Sequence, residues 1–276
     1  MIYARDKSQM CNNLLQFAHV YAWGREHGRR VLSMRFSYKY PYFHIRHTRF
    51  TSFPLYLYAK AMAAVGLIPT ASFKEADCDR EALEQKMLRH GNIVVSGWHV
   101  RFYDLFLKYR DEICDLFRID EAITAPVDAA MQEAERDAGR PVVRLGVHIR
   151  RGDYRIFHAG KYLYDDEVYI RHINRFASMH PDSDVHVYLS TNDQQVSAAD
   201  YQRQCPHVSV HRYGWGPAED LHMLSACDYL IGPPSTFSLV AAMYRDVPLY
   251  RMDDASEQAM TPDAFLRFDY WFRHIV

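Results

Sequence analysis

His148, Arg150, Arg151 and Asp153 fall within six residues at the end of an apolar run, Leu145-Gly146-Val147-His148-Ile149-Arg150-Arg151-Gly152-Asp153-Tyr154. Extended backbone alternates its faces, so Val147 and Ile149 point toward a core while His148 and Arg150 share the other side. An arginine fork matches two phosphate oxygens at once and keeps its charge at neutral pH. The ligand this segment predicts is therefore phosphorylated. Other readings of the same residues are an Arg pair salt-bridged to nearby carboxylates, a basic loop for nucleic acid, and Arg151-Gly152-Asp153 as an adhesion signal.

Two further pieces have suitable chemistry. In Gly232-Pro233-Pro234-Ser235-Thr236 the prolines stiffen a turn and the hydroxyl residues open a helix. A helix N-terminus presents unpaired N–H groups and partial positive charge, so it holds phosphate without lysine; simple N-capping by Ser235 or Thr236 is the competing role. Asp220 begins a helical stretch, Ala218 to Asp228. Its carboxylate either caps that helix or accepts two hydrogen bonds from N1 and the exocyclic amine of a guanine.

The elements that position these residues alternate between strand and helix. A strand over Ile2 to Ala4, a helix from about Asn12 to His27 stopped by Gly28, and a strand over Val31 to Phe36 give the first β-α-β unit. A strand at Ile93 to Ser96 and an amphipathic helix over Tyr103 to Phe117 follow. A helix through Val127, Met131 and Ala134 ends near Gly139, and Arg140-Pro141 marks a domain boundary. The expected domains are thus 1–140 and 141–276.

Beyond the anion-site strand the pattern predicts a helix from Asp166 to Met179, a strand Val185 to Ser190, and a helix beginning near Asn192-Asp193. Strands Val208 to His211, Tyr229 to Ile231 and Val247 to Tyr250 then alternate with helices Ala218 to Ala226 and Thr236 to Tyr244. Such alternation predicts an α/β doubly wound sheet, which binds ligands at the carboxyl ends of its strands. The aromatic and basic run Tyr38 to Phe50 has no clean period; it fits acceptor binding through stacked rings, or packing over a small domain.

The 276 residues, 49% hydrophobic, suffice for one large core or two of about 130 residues each. A net charge of -1 lacks the basic excess of a phosphate-backbone binder, which argues against nucleic acid as partner. The five cysteines show neither CxxC pairing nor zinc spacing and read as reduced thiols. No apolar run approaches a membrane span and the start MIYARDKSQM lacks a signal pattern. A cytoplasmic protein with at most peripheral membrane contact is expected. Asp77-Cys78-Asp79 and Asp182-Ser183-Asp184 superficially match a metal-binding D-x-D, but neither follows an apolar strand, so no metal ligand is expected from them.

Together these pieces resemble the fucosyltransferases of the α1,2, α1,6 and protein-O class, and glycosyltransferase family 11 most closely. The motifs are H-x-R-R-x-D, present as His148 to Asp153, and D-x-x-x-L-S-x-x-D, present as Asp220 to Asp228, leading into Ser235-Thr236-Phe237-Ser238. The resemblance implies a GT-B fold of two Rossmann-like domains with the donor cleft between them, the acceptor site in the N-terminal half and GDP-fucose in the C-terminal half. It assigns the β-phosphate to Arg150, the guanosine to His148 and Asp220, and pyrophosphate oxygens to Ser235 and Thr236. Asn12 falls in a segment similar to the family's N-terminal donor-contacting motif, with Gln9-Met10-Cys11 where the family has a glycine-flanked loop. The aromatic tail Phe265 to Phe272 is expected to pack back on the N-terminal half; a dimer contact is the alternative.

The implied reaction is metal-independent, inverting transfer of L-fucose to a glycan hydroxyl, of α1,2 type by the family, in which Arg150 and the Thr236 helix terminus stabilise the departing diphosphate. Asp153, then His158, then Asp6 are the candidates for the base that takes the acceptor proton, and Asp153 could equally orient an arginine. Two alternatives stay open: the same scaffold using another nucleotide sugar, and a catalytically silent nucleotide-binding protein.

Overall fold

In the computed structural model, which describes residues 1–5 and 8–275, the ladders between strands are all parallel. The chain forms two compact units, Met1–Asp120 and Glu121–Val276.

The first unit contains β1 (Ile2–Arg5), α1 (Met10–Glu26), β2 (Val31–Ser33), α2 (Phe53–Ala64), β3 (Thr70–Ser72), α3 (Arg80–Arg89), β4 (Ile93–Ser96), α4 (Tyr103–Lys108) and α5 (Arg110–Leu116). Its sheet runs in the order β2-β1-β4-β3. α1 is buried along most of its length, as its apolar sequence requires, with Leu14, Phe17, Ala18, Ala22 and Trp23 excluded from solvent. The single helix expected over Tyr103 to Phe117 breaks at Tyr109, whose hydroxyl donates to Glu26 Oε2 at 2.9 Å.

Two residues of the aromatic and basic run join the core. Phe43 and Ile45 are fully buried, and Phe43 lies edge-on to Phe36 and Phe117 at centroid distances of 5.9 and 5.6 Å. Packing thus takes the Phe43 ring, while Tyr38 and Lys39 of the same run stay exposed.

The second unit contains α6 (Glu121–Ala134), β5 (Val142–Ile149), α7 (Asp166–Ser178), β6 (Asp184–Thr191), α8 (Ala198–Gln204), β7 (Val208–His211), α9 (Pro217–Ser225), β8 (Tyr229–Gly232), α10 (Thr236–Arg245), β9 (Leu249–Arg251) and α11 (Phe268–Arg273). Its sheet order is β7-β6-β5-β8-β9. The order reverses between β5 and β8, which is where open α/β sheets bind ligands. Leu145, Val147 and Ile149 join a core with Tyr169, Ile173 and Phe176 of α7, on the face predicted for the apolar set.

The units part twenty residues before the break read from Arg140-Pro141, so α6 belongs to the second unit. Its contacts explain this. Asp128 Oδ1 lies 2.8 Å from His222 Nε2, Tyr213 donates to Ala130 O at 3.1 Å, and Tyr188 donates to Glu135 Oε1 at 2.5 Å. Glu135 also holds Arg144 of β5 through Nε and Nη2 at 2.8 and 2.7 Å. The tail is fastened to the sheet edge: Leu266 bridges Leu249, Trp271 Nε1 donates to Leu249 O at 2.7 Å, and the Arg251 guanidinium lies over the Trp271 ring.

Candidate functional site

β5 and β8 end side by side, and the segments leaving them carry the residues singled out by sequence. Across the β5–β6 ladder His148 pairs with Ser190, and parallel partners project to the same side of a sheet. On that side Ser190 Oγ donates to Asp220 Oδ2 at 2.8 Å, and the His148 ring meets the Phe237 ring at 5.1 Å. α9 and α10 therefore deliver Asp220 and Phe237 to the strand that carries His148.

Gly146 permits this approach. A Cβ there would lie 2.6 Å from Leu230 Cδ2 and 2.8 Å from Leu224 Cδ2, so β8 and the α9 side of the sheet close down on β5 where a side chain would hold them off.

His148 is buried, and burial together with the neighbouring Arg150 charge pushes its imidazole down to about 3. The ring is neutral at physiological pH. Its Nδ1 is buried and has no hydrogen-bond partner among the described residues, an orphan of the sort a ligand satisfies. Asp220 has the opposite perturbation. Burial pushes its carboxyl up to about 7, with Glu219 adding to the rise and the Ser190 hydrogen bond and Arg212 opposing it. A neutral imidazole beside a carboxyl poised at neutrality offers hydrogen-bonding groups of adjustable charge.

The basic pair divides its labour. Arg150, largely buried, places Nη2 2.9 Å from Asp153 Oδ2 and its guanidinium 5.8 Å from the Tyr154 ring centre. Arg151 turns into the protein, where Nη2 reaches Asp166 at 2.6 Å and Nη1 reaches Asp193 at 3.2 Å. Asn192 completes the clamp, accepting from Arg151 N at 2.9 Å and donating to Arg151 O at 3.0 Å. The helix expected at Asn192-Asp193 begins instead at Ala198, because both side chains are committed to this loop and to the turn that Asp193 makes with Gln195 N.

Across the switch point Ser235 is the N-cap of α10, its hydroxyl accepting from Phe237 N at 3.2 Å, and Thr236 is the first helical residue. The capping role is thus real, and the turn before the helix is tied to the β5 loop, from which Tyr154 donates its buried hydroxyl to Pro234 O. His158 sits apart on an exposed 3-10 turn in the left-handed region (φ 45°), its ring against Phe157 at 4.4 Å. Asn12, near the start of α1 in the first unit, donates to Ser8 Oγ at 3.0 Å. Asp6 lies outside the described residues.

Sequence reasoning missed Ser190, Asp193 and Tyr154; the signal available for Ser190 was a hydroxyl residue after the apolar run Val187-Tyr188-Leu189. The two D-x-D look-alikes have structural duties: Asp79 caps α3 by accepting from Ala82 N at 2.9 Å, and Asp184 holds Arg140 Nε at 2.8 Å. Among the described residues no group of three or more His, Cys, Asp or Glu side chains is placed to share a metal ion.

Residues 82–246 match the model of glycosyl transferase family 11. The chain belongs to this family. The matched span contains every candidate of the second unit from His148 to Thr236 and leaves Asn12 outside it. Solved structures similar to the chain include a variant of Arabidopsis thaliana FUT1 in complex with GDP, at 13% identity and TM-score 0.58, covering 96% of this chain and 72% of that one. The NodZ α-1,6-fucosyltransferase of Bradyrhizobium, co-crystallised with GDP, aligns at 17% identity and TM-score 0.56, covering 91% and 94%. POFUT1 in complex with GDP aligns at 12% and 0.51, covering 89% and 94%. A search of curated proteins finds no match. This family 11 glycosyltransferase therefore has the GT-B fold of these enzymes, with its two Rossmann-like halves. None of its helices is long and apolar enough to cross a membrane, among the described residues.

Proposed function

We propose that this family 11 chain is an inverting fucosyltransferase that moves L-fucose from GDP-β-L-fucose to a hydroxyl of a glycan, in α1,2 linkage. The observation that carries the donor assignment is the trio at the β5–β8 switch point: unpartnered His148 Nδ1, perturbed Asp220 and Arg150. Support also comes from structural neighbours solved with GDP and GDP-fucose. Ionised Asp220 has the two acceptor oxygens that guanine N1–H and its exocyclic amine require, and the neutral His148 ring lies alongside to contact the guanosine. Arg150 grips the β-phosphate, with the N-terminus of α10 at Ser235 and Thr236 supplying further positive potential.

In the reaction the acceptor oxygen attacks the anomeric carbon as the bond from that carbon to the β-phosphate oxygen breaks. The electron pair departs with GDP, and the acceptor proton passes to a base. Arg150 and the helix terminus need no reorganisation as charge grows on the leaving group, so their effect is largest in the transition state. We assign to Asp153 the orientation of Arg150, on the strength of their 2.9 Å ion pair. Asp153 and His158 remain the second unit's candidates for the base, and Asn12 the first unit's candidate for a donor contact.

Calorimetric titration of GDP, GDP-fucose and GDP-mannose into wild type and Arg150→Ala, with and without EDTA, tests the proposal. The expected result is micromolar GDP-fucose binding that EDTA leaves unchanged and that Arg150→Ala weakens at least tenfold, the loss of one charge-assisted hydrogen bond. Absence of guanine-nucleotide binding refutes the donor assignment, and equal binding with turnover of GDP-mannose replaces fucose by another sugar.

A further inference from the structure

Charge is segregated along the chain in a way the site does not use. Residues 28–74 contain eight Arg and Lys residues and no Asp or Glu, although the whole chain has 33 basic and 34 acidic residues. Besides Tyr38, the same stretch carries six of the large apolar side chains left exposed among the described residues, Phe53, Leu55, Leu57, Tyr58, Val65 and Leu67.

Five of the six are concentrated on α2 or just behind it at positions where a surface helix is ordinarily polar. Ala59 is the one fully buried residue of α2, with Tyr56, Met62 and Ala63 half-buried around it. At 100° per residue the opposite side presents Phe53, Pro54, Leu57, Ala61 and Ala64, flanked on one side by Tyr58 and on the other by Lys60, its single charged group. Phe53 is 51% exposed and Leu57 47%. Exposed Lys60 stands at the edge of this face, 5.8 Å from the Tyr56 ring, and Tyr38 packs tilted against Tyr56 at 4.9 Å, with exposed Lys39 next to it in the chain.

We propose that α2 and its basic rim dock this protein on an anionic lipid bilayer. The face is a helix lying parallel to a surface, with aliphatic side chains to enter the acyl boundary, tyrosines at the depth of the headgroups, and cations for anionic lipid. Positive charge around the patch selects this occupant. Two copies meeting through the same face would set Lys39 and Lys60 against their own counterparts, with no carboxylate in the segment to offset them. The inference is independent of the donor assignment, since it concerns only the first unit.

The test is co-sedimentation of the full chain with vesicles of phosphatidylcholine alone and of equimolar phosphatidylcholine and phosphatidylglycerol. The double variant Phe53→Ser, Leu57→Ser removes the insertion, and Lys39→Glu, Lys60→Glu reverses the rim; unchanged circular dichroism and unfolding midpoint show that each remains folded. Wild type is expected on the anionic vesicles only, released by high salt. The serine pair should lower partitioning by at least about tenfold, and the charge reversal by about twenty-fivefold or more. Failure of wild type to sediment with anionic vesicles overturns the proposal. So does sedimentation unaffected by the serine pair, or a wild-type dimer in analytical ultracentrifugation that the serine pair turns to monomer.

Discussion

Replacing Asp220 by Asn should stabilise the empty protein and cripple donor binding, and both effects follow from one buried carboxyl. An aspartate whose carboxyl moves from 3.8 to about 7 on folding bears about 4 kcal/mol against its charged form. The sign is set by proton counts. Between 3.8 and about 7 the folded protein holds a proton that the unfolded chain has released, so stability falls as pH rises through that window and the cost is complete above it. Asn keeps an oxygen for the Ser190 hydroxyl while removing the charge, so Asp220→Asn should gain about 2–4 kcal/mol at pH 8 and close to nothing at pH 4.

The functional effect has the opposite sign. If ionised Asp220 accepts from guanine, the Asn amide sets a donor against a donor, which costs about 2–4 kcal/mol, or about thirtyfold to a thousandfold in GDP affinity. Wild-type affinity should be constant above pH 7 and fall tenfold per pH unit below it, and the variant should lack this slope. Scanning calorimetry at both pH values and GDP titration across the range read both quantities. A variant less stable at pH 8 refutes the buried-charge argument, and unchanged GDP affinity refutes the guanine assignment.

Arg151→Ala removes the ion pairs to Asp166 and Asp193 and should destabilise the second unit by about 1–3 kcal/mol, seen as a lower unfolding midpoint, with GDP affinity falling as the loop loosens; Arg150→Ala should cost more GDP affinity than Arg151→Ala. Gly97→Ala should destabilise the first unit by at least about 3 kcal/mol in urea titration, because φ is +121° and a Cβ would lie 2.2 Å from the Phe73 carbonyl. Glu135→Leu strands half-buried Arg144 and the Tyr188 hydroxyl, and a loss of about 3–5 kcal/mol is expected in the same assay.

Local signals reported local facts well. β4 and β7 coincide with the strands read from apolar runs, and β5 faces its apolar residues to α7 as alternation requires. α2 was passed over because its sequence is apolar on nearly every side, Lys60 being its single charged residue, so no 3.6-residue period marks it. β3 is three residues long and is held by pairing with β4, a neighbour more than twenty positions away. The two units part twenty residues before Arg140-Pro141, because α6 is held by residues of β6 and α9 far along the chain.

The sequence by itself determined the kinds of chemistry present at the β5 end, because residue type and period-two alternation are properties of a few adjacent positions. Arg150, His148, Asp220 and Ser235 could be picked out before any fold was known. Which carboxylates each of the two adjacent arginines pairs with, which strand supplies the hydroxyl beside Asp220, and at what pH that carboxyl titrates were decided only by tertiary structure. Those answers depend on Asp166, Asp193, Ser190 and the burial around α9. Charge and solvent exclusion are set by neighbours in space, and sheet register brings such neighbours together from positions about forty residues apart.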